Sequence, residues 1–250
     1  MSPPAISVIV LLCIFGGVLL GFALQKVLPE KQLNPESRQA VNLGMGIIGT
    51  MSALVLGLLV ASAKGNYDAQ NDALLDASAK VIFLDQTLRD YGPEAQQTRI
   101  ALRQSVENAI NMLWPQKRTQ NLHFEPGKNI QFVYRYIEQL KPQDDNQRAA
   151  KDRAMTTVVS LMQTGSLAAV RQTVSISTPL LVILVFWLTI NFISLGLFAP
   201  RNATVIATLF LCALAVSGAI LLILELYHPF GGLIHLPSEP MHIALERLSQ

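Results

Sequence analysis

The sequence predicts an all-α integral membrane protein, with four transmembrane helices and a helical soluble domain between spans 2 and 3. Three observations predict this class. Of the 250 residues, 51% are hydrophobic and only 14% are charged, whereas soluble domains carry about a quarter charged residues. The deficit is concentrated in four apolar windows of roughly 20 residues or more, a length that crosses a bilayer core as an α-helix. Between the second and third windows, apolar residues recur at helical spacing.

The four windows set the domain boundaries. A first membrane region (1–63) holds spans 1 and 2 at about 5–24 and 41–63, and a second (173–227) holds spans 3 and 4 at about 174–199 and 203–227. Residues 64–172 form the soluble domain, and residues 228–250 form an interfacial C-terminal tail. A cleaved signal is disfavoured for span 1, because the start MSPPAIS has no basic residue and no clear small-x-small site follows.

The soluble domain is expected to contain four helical segments. Helix-breaking residues separate them at Gly92–Pro93, Trp114–Pro115, Pro126–Gly127 and Pro142. Only Lys64 and Gly65 separate the first segment from span 2. A continuous helix and two helices hinged at Gly65 are both compatible with this junction. The fourth segment leads into span 3 in the same way, through Arg171.

Span 2 carries small residues along one face of its helix: Gly46, Gly49, Thr50, Ala53, Gly57 and Ala61. In lipid, a small face lets neighbouring backbones approach closely, so one interpretation is tight helix packing. The other is that this face, repeated around a symmetry axis, lines a narrow pore. The face has no charge, so selectivity would depend on pore width, backbone carbonyls or residues at the mouth.

Polar residues in the later spans are the other candidates. Asn191 in span 3 is expected to bond a neighbouring helix, with a place in a polar pore lining as the alternative. Glu225 is the one acid within or at the edge of a span, and Tyr227 and His228 follow it. Glu225 either pairs with a basic residue such as Lys64 or Arg171, or attracts cations at a pore mouth.

The sequence lacks the residue patterns that are typical of enzymes, metal sites and nucleic-acid-binding proteins. No nucleophile elbow, phosphate loop, HExxH or paired-carboxylate arrangement is present, so we do not expect an enzyme. His228, His235 and His242 recur every seven residues, but prolines interrupt any helix that would align them, so no metal site and no cofactor are predicted. The net charge of +2 argues against nucleic-acid binding.

Three stretches resemble the bestrophin-like family of bacterial membrane proteins: FWLTINFISLGLFAPRN (186–202), LELYHPFGGLIHLPSEPM (224–241) and LGLLVASAKGNYD (56–68). With the four-span layout, the resemblance covers most of the chain. Its most specific element is Pro-Phe-x-Gly, here Pro229, Phe230 and Gly232. The family often has an Asp where this chain has Tyr227 and a Ser where it has Gly231. If that Asp binds ions or a partner in the family, this chain either lacks the binding role or performs it with Glu225.

The resemblance implies a homo-oligomeric ion channel, often a pentamer, in the bacterial inner membrane, with lipids and inorganic ions as its partners. It also implies that the second spans line the pore and that the helical domain faces the cytoplasm. The short loops argue weakly the other way, because they carry Lys26, Lys31, Arg38 and Arg201. The alternative function is a non-conducting membrane scaffold or sensor whose helical domain binds a protein partner.

Overall fold

The computed structural model describes residues 2–29, 35–115, 128–172 and 178–249. The α-helices in these ranges are α1 (Pro3–Val27), α2 (Pro35–Tyr91), α3 (Gln96–Leu113), α4 (Lys128–Gln139), α5 (Asp145–Gln172), α6 (Thr178–Phe198), α7 (Ala203–Leu226) and α8 (Glu239–Arg247). A short 3₁₀ helix, Pro93–Ala95, precedes α3. Helices α1, α2, α6 and α7 contain apolar stretches long enough to cross a membrane. The predicted fold class is therefore confirmed.

The chain divides into two compact units. The membrane unit comprises Met1–Gly65 and Ser175–Tyr227, and the helical unit comprises Asn66–Val174 and His228–Gln250. The tail 228–250 thus belongs to the helical unit, whose core includes Leu236, Met241 and Ala244. Its contact with a membrane interface stays a prediction.

Helix α2 is continuous for 57 residues and passes through Gly65 without a break. The structure therefore has the continuous helix, not the hinge, at the end of span 2. The equivalent junction between Arg171 and span 3 includes residues 173–177, which lie outside the described ranges. The predicted breaker Pro126–Gly127 and Lys31 of the first short loop also lie outside them.

In the membrane unit, α1 packs against both α6 and α7. Its contact with α6 is close because glycines meet there: a Cβ added to Gly21 would collide with the backbone oxygen of Ile193, and one added to Gly196 with that of Val18. Against α7, Ser7 and Ser217 bond reciprocally, each hydroxyl donating to the other residue's backbone oxygen at 2.8 and 2.7 Å. These buried bonds satisfy polar groups that lipid cannot satisfy.

The helical unit encloses its own apolar core. Buried side chains come from the second half of α2, from α3, α4 and α5, and from the tail, and include Leu84, Leu88, Leu102, Ile137, Val158 and Leu236. The spacing of these residues along each helix is the pattern that predicted the helices. Helix α8 was not predicted. Pro240 lies in its first turn, where the missing N–H costs nothing, so this proline begins a helix instead of only breaking one.

Candidate functional site: the exposed faces of helix α2

The small-residue face of α2 is open in the single chain. Gly46, Thr50, Ala53, Gly57 and Ala61 are exposed, and Gly49 is half-buried. Within the described part of the chain, a Cβ added to Gly46 or Gly57 would meet no atom within 4 Å. Gly46 and Gly57 therefore have no close helix neighbour among the described residues of the same chain, and both interpretations of the face stay predictions.

A second exposed face lies roughly a quarter turn away on the same helix. It is bulky and apolar, and its members are 49–69% exposed: Leu43, Ile47, Met51, Leu54 and Leu58. The third side of α2 carries the buried Ser52, Leu59 and Ala63. Only 11% of the most apolar part of α2 is buried, against 39% for α1 and 28% for α7. Of these three spans, α2 therefore has the least contact with its own chain.

Asn191 lies beside the small face. A Cβ at Gly49 would be 3.9 Å from Asn191 Oδ1. The half-buried Asn191 donates from Nδ2 to the backbone oxygen of Trp187 on its own helix, at a long 3.5 Å. The structure thus brings together Gly49 and Asn191, which the sequence pattern does not connect.

The three candidates for a pore mouth have different environments. Glu225 is buried, with 4% of its surface accessible. The hydroxyl of half-buried Tyr227 lies 3.1 Å from the hydroxyl of Ser62 on α2, within hydrogen-bond distance. His228 is exposed. Glu225 is thus enclosed by its own chain, and its two interpretations, an ion-pair partner and a cation-attracting acid at a pore mouth, both stay predictions.

The Pro-Phe-x-Gly element is anchored in the helical unit. Pro229 is buried, and the ring of Phe230 packs edge-on against Trp114 with centroids 5.7 Å apart. Trp114 Nε1 also donates to the backbone oxygen of Leu236 at 2.9 Å. Gly232 is half-buried and lies in the bend between these anchors. The element therefore fixes the start of the tail within the helical unit.

Two ionisable groups link helices of the helical unit. Asp85 is buried and forms ion pairs with Arg99, at 2.7 Å, and with Arg89, at 3.1 Å, so that it joins α2 to the start of α3. Asp76 joins α2 to Thr164 on α5, and the hydrogen bond from Lys80 holds the pKa of Asp76 below its ordinary value. In the described ranges, no group of three or more His, Cys, Asp and Glu side chains could hold a metal ion.

Sequence reasoning missed the glycines of the α1–α6 contact. Gly17, like Gly21 and Gly196, has the partner backbone close by: a Cβ there would be 3.0 Å from the oxygen of Thr189. Gly17 and Gly21 are spaced four residues apart in an apolar span, which is the signal that would have found them.

The apolar helices, the open face of α2 and the helical unit define an all-α integral membrane protein. A Bestrophin-like domain model matches residues 12–241, so the chain belongs to the Bestrophin-like family. The recognised resemblance is thereby confirmed. Among curated proteins, no sequence matches this chain.

Solved structures with this fold include a bacterial Bestrophin homolog from Klebsiella pneumoniae. Two of its point-substituted forms align at 14% identity with TM-scores of 0.69 and 0.65, covering 97% and 94% of this chain and 97% of each of theirs. A crystal structure of a membrane protein aligns at 13% identity with a TM-score of 0.64, covering 94% of this chain and 97% of that one. At such identities the likeness establishes the fold.

Proposed function

We propose that this protein is a bestrophin-like, homo-oligomeric ion channel whose pore is lined by the small-residue face of α2: Gly46, Gly49, Thr50, Ala53, Gly57 and Ala61. The observation that carries the proposal is that this face stays open in the single chain, although α2 is apolar enough to cross a membrane. A membrane helix gains from dispersion contacts with its neighbours, so an unpacked glycine face needs another role.

The arrangement of faces around α2 supports a ring of copies. One side, with Ser52 and Leu59, is buried. In a ring of copies around an axis, the small face would point toward the axis. The adjacent bulky face, with Leu54 and Leu58, would contact the neighbouring copy. Small side chains leave space at the axis, and the exposed bulky side chains offer many carbon atoms for dispersion contacts with the neighbouring copy. We take the pentamer as the ring size, from the family resemblance.

The lining would be uncharged. The Thr50 hydroxyl donates to the backbone oxygen of Gly46 at 2.9 Å, which leaves its oxygen lone pairs for water or ions. Asn191 would add an amide beside Gly49 at the edge of the face. Pore width and these weak polar groups would then set selectivity, together with Glu225, Tyr227 and His228 at the mouth.

The decisive experiment compares two glycines of α2 that lie on different sides of the helix but at nearly the same position along its axis. Gly46 and Gly44 are two residues apart, so they lie about 160° apart around the helix axis. Both are exposed, and a Cβ at either would meet no described atom within 4 Å. Gly46→Leu should fold and assemble but lose most of its ion flux in liposomes. Gly44 lies seven residues before Met51, on the side of the bulky face, so Gly44→Leu should keep its flux where the oligomer is intact.

Native mass spectrometry of both variants controls for assembly. Equal flux through intact oligomers of the two variants would refute the pore assignment. A monomer in several detergents, or no flux from an intact wild-type oligomer, would refute the channel.

The second candidate function is a membrane scaffold or sensor, and a surface feature of the helical unit favours it. A groove of about 570 Å³ runs between α4 and α5, lined by Tyr134, Val159, Met162, Gln163, Ser166 and Leu167. Open apolar grooves of this kind suit a partner helix. A flux-negative wild-type oligomer that binds a partner through this groove, and loses it on Leu167→Asp, would favour this function.

We further propose that the protein lies in the inner membrane with the helical unit in the cytoplasm, as the family resemblance implies. A C-terminal fluorescent fusion tests the side, because the tail belongs to the helical unit. Fluorescence of a reporter that matures only in the cytoplasm supports this placement. Activity of a periplasmic reporter at the same position would reverse it.

A further inference from the structure

The segment Pro229–Leu236 (PFGGLIHL) forms a closed loop directly after α7. The backbone N–H of Leu236 donates to the oxygen of Pro229 at 2.7 Å and closes the loop at its base. The base is held on both sides, since Phe230 packs on Trp114 and Leu236 is fully buried. The loop is therefore a fixed protrusion and not an extended tail.

The tip of this loop is apolar and exposed. The Leu233 side chain is 78% exposed, the largest value among the exposed large hydrophobic residues described in the helical unit. Gly231 is also exposed, and Ile234 is half-buried. Between Leu226 and Ser238 the sequence has no Asp, Glu, Lys or Arg. Burial of such a tip against apolar matter would be favourable, and no fixed charge opposes it.

Chain length keeps the tip near the end of a membrane span. Pro229 is three residues beyond Leu226, the last residue of α7, so the chain places the loop base within about 11 Å of the helix end. Half of a closed eight-residue loop adds at most about 14 Å. The headgroup layer on each side of the bilayer is about 5–8 Å thick, so the tip can reach it.

We propose that the 229–236 loop is a lipid anchor, with Leu233 and Ile234 inserted at the boundary between headgroups and acyl chains. The headgroup level is favoured over the hydrocarbon core because an irregular backbone needs water or protein to satisfy its polar groups. The inference does not depend on ion conduction and holds equally for a scaffold.

The test measures how close the tip is to lipid. A fluorescent label is attached to L233C in a chain whose Cys13 and Cys212 are replaced by Ala, and the protein is placed in phosphatidylcholine–phosphatidylglycerol nanodiscs. A label on F83C is the matched control. Phe83 is 49% exposed and lies on α2, 18 residues beyond Gly65 and therefore about 27 Å along the helix. Shallow spin-labelled lipid and aqueous iodide serve as the two quenchers.

We expect the lipid quencher to quench the label at position 233 several-fold more than the label at position 83, with iodide quenching reduced at position 233. Strong iodide quenching at 233 without lipid quenching would overturn the proposal, because the loop would lie in water. Protection from both quenchers would also overturn it and would place the tip against protein, such as a second copy. Size-exclusion profiles matching that of the parent chain establish that each labelled variant is folded.

Discussion

Gly21→Ala tests whether the contact between α1 and α6 depends on the absence of a side chain. The added Cβ would collide with the backbone oxygen of Ile193 and lie 2.8 Å from the backbone nitrogen of Leu197. Both are backbone atoms of a helix and cannot rotate away, so the two helices must separate. Overpacking of a close contact costs about 1–3 kcal/mol, and the rigidity of these atoms places this case near the upper end.

At 2–4 °C per kcal/mol for a chain of this size, a cost of about 2–3 kcal/mol lowers the melting temperature by about 4–12 °C. Differential scanning fluorimetry in detergent measures it. Gly16→Ala is the matched control, since a Cβ at Gly16 would meet no described atom within 4 Å. Equal melting temperatures for the two variants would refute the close helix contact, because the same methyl group would then cost the same at an open and at a closed position.

Three further predictions concern ionisable groups. Asp85→Ala should destabilise the protein by about 2–4 kcal/mol, because it leaves Arg99 without its buried partner; unchanged hydrogen exchange in α2 and α3 would contradict this. The Tyr91 hydroxyl is buried with no partner among the described residues, and burial raises the pKa of Tyr91. The protonated hydroxyl's contribution to the free energy of unfolding is therefore present below about pH 10 and is lost as the pH rises through the folded pKa. Phenylalanine has no proton to lose, so the melting temperature of Tyr91→Phe should rise relative to that of wild type at alkaline pH. Glu225→Gln should shift the reversal potential toward anion permeation; an unchanged potential with a lower melting temperature would identify Glu225 as a structural ion-pair partner.

The candidate site could be predicted only in part. Helical spacing predicts that Gly46, Ala53 and Gly57 share a face, because that follows from 3.6 residues per turn. Spacing does not show whether another helix of the same chain covers this face, and in the described ranges no helix covers Gly46, Ala53 or Gly57. The approach of Asn191 to Gly49 likewise depends on how α6 packs beside α2, which local pattern does not encode.

The sequence by itself determined the number of spans, the position of the helical domain and the helical class. These depend on local quantities, namely the apolar length needed to cross a bilayer and the period of apolar residues. Only the tertiary structure decided that Gly21 and Gly196 meet, that Glu225 is enclosed, and that the tail closes a loop on Trp114. Each of these is a contact between residues far apart in sequence, and such contacts are set by the packing of whole helices, which depends on side chains from several segments together.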